Sequence, residues 1–66
     1  MIAPKEKPTV NLLGTDGNAF FILGRVERKL RAAGADQEYI GKYLDEATLG
    51  DYDHLLQTTM KYVDVA

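Results

Sequence analysis

The chain has no cysteine in 66 residues, and that absence narrows the ways it can hold a fold. Domains below roughly 70–80 residues seldom build a core worth more than a few kcal/mol, and natural ones add disulfides, a metal or a partner. Without thiols there is no disulfide and no thiolate–zinc staple. Scaling with mass gives about 10,600 Å² of surface for the unfolded chain and about 4,200 Å² for the folded one. If about 60% of the difference is apolar, burial at about 25 cal/mol per Å² supplies about 100 kcal/mol. Ordering the chain at about 1.5 kcal/mol per residue costs the same amount within a few kcal/mol. The sequence therefore calls for unusually good packing or for a second chain.

Hydrophobic residues make up 45% and charged residues 27%, a globular mixture that fits a single domain and not a disordered or fibrous chain. The longest apolar run, Ala19 to Leu23, is far short of the roughly 18 residues that would suggest a bilayer span. The charges Lys5, Glu6 and Lys7 near the start are followed by no apolar stretch of the secretory kind. These features predict a cytoplasmic protein without a membrane role, and the absence of cysteine fits a reducing compartment.

Pro4 and Pro8 around three charges mark residues 1–8 as a flexible N-terminal segment, leaving 9–66 as one small α+β domain. Thr9 to Leu13 reads as a strand ended by Gly14, with Val10 and Leu12 on one face and Asn11 and Leu13 on the other. Turn and cap formers fill 14–18, where Asp16 or Thr15 would cap the next helix. From about Gly17 to Ala33 the pattern is helical, with Ala19, Ile22, Leu23, Val26, Leu30 and Ala33 on one stripe and Gly34 at the end. Asp36 caps a second helix to about Thr48, with an apolar face of Ile40, Tyr43, Leu44 and Ala47. Asp51 caps a third to Met60, with Tyr52, Leu55, Leu56 and Thr59 on one side. Lys61 to Val65 alternates as a closing strand. The fold class is α+β in the order β-α-α-α-β, three helices packed on a two-stranded element. Two strands alone leave open edges, which pairing across a two-fold axis, by strand or by helix, would relieve.

The stretches Asn11-Leu12-Leu13-Gly14-Thr15-Asp16-Gly17-Asn18-Ala19-Phe20 and Ala47-Thr48-Leu49-Gly50-Asp51-Tyr52-Asp53-His54-Leu55-Leu56 resemble those of a family of small uncharacterised proteins of bacteria and their phages. The resemblance spans roughly residues 10–65. It implies a bacterial or phage origin and a standalone domain, and it carries no residue role.

Phe21 is the off-stripe residue of the first helix, on the side of Arg25 and Arg28. An aromatic ring flanked by guanidinium groups suits a self-interface or another protein, and can also stack on bases; packing under a terminal strand is the alternative. Phe21, Arg25, Arg28 and Tyr62 form the candidate interaction surface. A nucleic-acid role would use Arg25, Arg28, Lys29 and Arg31, four of the eight basic residues, but Glu27 interrupts them and the chain carries -2 overall. A helix-turn-helix reading would place Asp51 and Asp53 against phosphates, so the charge sign opposes it. Gly17 and Asn18, between strand and helix, are a possible anion site, although the loop matches neither nucleotide-binding glycine motif.

Asp51, Asp53 and His54, with Asp45 or Glu46, could be drawn as a metal site, but acids at a helix start are explained by the dipole. There is no serine, and His54 with Thr58 lacks an oxyanion hole. The expectation is a non-enzymatic binding or accessory protein, a homodimer or the partner of another protein, with no metal and no cofactor.

Overall fold

Three short polar side chains start the three helices. The Asn18 Oδ1 accepts the N–H groups of Phe20 and Phe21 at 2.8 and 3.4 Å. The Asp36 Oδ1 accepts the Tyr39 N–H at 2.9 Å, and the Asp51 Oδ1 accepts the His54 N–H at 3.0 Å. Each satisfies amide donors that a helix start leaves orphaned. The computed structural model describes residues 1–11 and 18–66. Its elements are β1 (Thr9–Val10), α1 (Ala19–Ala32), α2 (Gln37–Ala47), α3 (Tyr52–Tyr62) and β2 (Asp64–Val65). The architecture is the small α+β arrangement expected, in the order β1-α1-α2-α3-β2.

α1 closes in a Schellman turn. Ala35 N–H donates to the Leu30 carbonyl and Gly34 N–H to that of Arg31, with Gly34 at φ +104°, a conformation that costs glycine no Cβ clash. Ile22, Val26 and Leu30 point from α1 into the interior, with Ala19 and Leu23 partly covered beside them. α2 contributes Ile40, Tyr43 and Ala47, and α3 contributes Leu55, Thr58, Thr59 and Tyr62. Tyr62 meets Tyr39 and Tyr43 edge-on, at centroid distances of 5.5 and 5.1 Å, an arrangement that sets ring edge against ring face.

β1 and β2 pair in parallel, Thr9 opposite Asp64 and Val10 opposite Val65. Asp64 N–H donates to the Pro8 carbonyl and Ala66 N–H to that of Val10, both at 2.9 Å. A parallel pair needs a crossover connection, and here all three helices lie within it. Val10 of β1 and Val63, which links α3 to β2, are fully buried, so the paired ends of the fold each set one valine into the core. Residues 1–8 lie along the α1–α2 corner, where Lys5 N–H donates to the Ala33 carbonyl and Asp36 N–H to that of Ile2.

Two sequence expectations are corrected. The residue capping α1 is Asn18; Thr15 and Asp16 lie outside the described residues, as do Leu12, Leu13, Gly14 and Gly17. The closing strand does not begin at Lys61, because Lys61 and Tyr62 belong to α3. Tyr62 continues the 3.6-residue stripe of Leu55, Thr58 and Thr59 into the core, and that burial outweighs the period-2 alternation of the last five residues. No helix among the described residues is long and apolar enough to cross a membrane.

Candidate interaction surface

The stripe that turns Ile22, Val26 and Leu30 inward turns Phe20, Phe21, Gly24 and Arg28 outward. Phe20 is 84% exposed and Phe21 49% exposed. With Gly24, Arg25 and Arg28 they line an open depression of about 280 Å³. Gly24 forms part of its lining, and a Cβ built there would meet nothing within 4 Å. Phe20 also borders a second groove, of about 270 Å³, shared with Leu23, Ala47, Tyr52 and Leu55. This groove separates the start of α1 from the α2–α3 corner. Leu49 at that corner is 79% exposed. The two grooves meet at Phe20, which lines both.

The basic residues of α1 are not equally available. The Arg25 guanidinium lies over the Phe21 ring, 5.3 Å from its centroid, and its Nη1 donates to the Asn11 carbonyl at 2.7 Å. It thereby braces Phe21 by a cation–π contact. Arg31 is held by Glu27 at 3.2 Å and donates to the Gln37 Oε1 at 2.7 Å. Arg28 is exposed and makes no ion pair or hydrogen bond among the described residues.

Phe21, Arg25 and Arg28 therefore come together as the sequence suggests, and Phe21 is half exposed instead of packing under a terminal strand. Tyr62 does not join them. It is only 8% exposed, set among Tyr39 and Tyr43. Burial and the neighbouring Glu46 carboxylate push its phenol up to about 12. It fails as a surface residue because α3 runs two residues further than the alternation implies. Phe20, by contrast, has no role in the sequence reading beyond its place in the resemblance. The signal was present: at 100° per residue it falls about 120° from the centre of the buried stripe.

Of the possible anion site, Gly17 lies outside the described residues. The Asn18 Oδ1 already receives the Phe20 and Phe21 amides, which are donors an anion would use. His54 is bound into the α2–α3 corner: its Nε2 donates to the Glu46 carbonyl at 2.8 Å, with the Thr58 hydroxyl at 3.4 Å. A carbonyl only accepts, so this nitrogen carries its proton and serves as a cap for the end of α2. Among the described residues no group of three or more histidine and acidic side chains is placed to hold a metal ion. Comparison of the chain with known protein families, with curated proteins and with solved structures finds no match.

Proposed function

We propose that the chain works by binding and not by chemistry, as a small accessory protein that associates with a second copy of itself through the Phe20–Phe21–Arg28 face of α1. The observation that carries this reading is the pair of adjacent, exposed phenylalanines on a helix whose opposite side already fills the core. Covering such a ring is worth roughly 1.5–3 kcal/mol, and contiguous exposed apolar surface on a small protein commonly marks an interface. The cysteine-free composition fits a cytoplasmic setting.

A nucleic-acid role has one observation in its favour, the Arg25 guanidinium over the Phe21 ring beside Arg28. Against it stand the net charge of -2 and the engagement of Arg25 and Arg31 within the fold. Sedimentation equilibrium across a concentration series tests the main reading: a monomer–dimer equilibrium is expected, weakened by Phe21→Ala with helix content intact. A species monomeric at every concentration overturns it. Binding of single-stranded DNA that falls steeply with salt, through counterion release, would favour the second reading.

A further inference from the structure

Phe20 and Tyr52 line one groove, each has a second exposed apolar residue close by in its own segment, and their charged neighbours are opposite in sign. On α1, Phe20 and Phe21 stand with Arg28. At the α2–α3 corner, Leu49 and the 41% exposed Tyr52 stand with Asp53 in the first turn of α3. Arg28 and Asp53 are both exposed, and neither has an ion pair or hydrogen bond among the described residues. Phe20 and Tyr52 line the same groove; Arg28 lines the adjoining depression that Phe20 also borders, and Asp53 follows Tyr52 in the first turn of α3.

A face of this kind is complementary to itself after a half-turn. We infer that it forms a two-fold dimer interface in which Phe20 and Phe21 of each copy cover Leu49 and Tyr52 of the other, while Arg28 meets the partner's Asp53. The inference rests on the proposed self-association and adds which two halves meet. The occupant is a second copy because the acidic apolar half that the basic half requires is present on the same chain. A two-fold arrangement makes both contacts twice and closes with two copies, whereas an open head-to-tail chain would leave one half of each terminal copy uncovered. Charge pairing of this sort sets register and excludes wrong pairings more than it adds affinity.

The test is sedimentation equilibrium of the full chain as wild type, Arg28→Glu, Asp53→Lys and an equimolar mixture of the two variants, with far-UV circular dichroism on each. In the two-fold dimer each single reversal creates two like-charge contacts, so each variant alone is expected to associate at least about 10-fold more weakly. The mixture is expected to recover a dimer within about 3-fold of wild type, because its heterodimer has one original and one exchanged pair. If a reversal disturbs folding, Arg28→Gln and Asp53→Asn replace it, each weakening association by about 3-fold. A wild-type dimer that is indifferent to the substitutions, or a mixture that fails to recover, overturns this geometry and leaves self-association standing. A monomeric wild type overturns both.

Discussion

The Tyr43 and Thr59 hydroxyls lie 2.8 Å apart in the interior, joining α2 to α3 through a polar contact with no water access. A buried hydrogen bond contributes modestly when made, but leaves a larger cost when only one partner is removed. Tyr43→Phe is therefore expected to destabilise the domain by about 1–2 kcal/mol, with Thr59→Val costing a similar amount. The double variant should cost clearly less than the sum of the two. Urea unfolding at fixed protein concentration measures the coupling, and strict additivity would mean the contact contributes nothing.

Gly24 and Gly41 sit inside α1 and α2 with open space where a Cβ would project. Alanine at each is expected to raise stability by about 0.5–1 kcal/mol through helix propensity alone. The two should differ in association. Gly24 lines the depression between Phe20, Phe21 and Arg28, so Gly24→Ala should stabilise the monomer while weakening the dimer, and Gly41→Ala should leave the dimer unchanged.

Gly50 behaves in the opposite way. A Cβ there would stand 2.9 Å from both Cβ and Cγ of His54, the fixed root of that side chain. Gly50→Ala must displace His54 and with it the Nε2 contact to the Glu46 carbonyl. A loss of about 1–3 kcal/mol is expected from overpacking, visible as a lower thermal midpoint and a changed imidazole resonance.

Alkali and acid act on different contacts. The Tyr62 phenol is pushed from its usual value of 10.0 up to about 12, first by burial and then by Glu46; burial also raises Tyr43, opposed by its bond to Thr59. Stability is thus complete below pH 10 and falls as the pH rises towards 12, because the unfolded chain ionises first. Tyrosinate absorbance from these two rings should appear together with loss of helix, and Tyr62→Phe should move the alkaline midpoint upward. At the other end, the Tyr39 amide, and then that of Ile2, hold Asp36 below its usual 3.8. Its contribution is present above that pH and lost on acidification through the lower folded value. Asp36→Asn keeps a cap that cannot titrate, and should flatten the acid limb of the stability curve.

Residues whose position is set by local chemistry were readable from the sequence. Asp36 and Asp51 cap α2 and α3 because a carboxylate accepting an amide three residues further on needs only that much context. Gly34 ends α1 for an equally local reason. Tyr62 was misplaced because two periodicities compete over the last residues of α3, and only the ring cluster with Tyr39 and Tyr43 decides between them. The parallel direction of β1 and β2 depends on where three helices return the chain, which no local pattern records. The Phe20 side of α1 was half legible: the wheel places both phenylalanines outside, but only the packed structure sets Phe20 across a groove from Tyr52.

The partnership of Val10 with Val65 makes the domain a clasp whose first half precedes all three helices in the chain and whose second half follows them. A nascent chain that has reached Tyr62 contains all three helices and none of β2, so the clasp closes last and bears a long loop-closure entropy. Val10→Ala is accordingly expected to accelerate unfolding while leaving the folding rate nearly unchanged, which stopped-flow chevrons would display. Clipping either strand frees the other, so proteolytic removal of a few residues beside β2 would unlatch Val10 at the far end of the sequence.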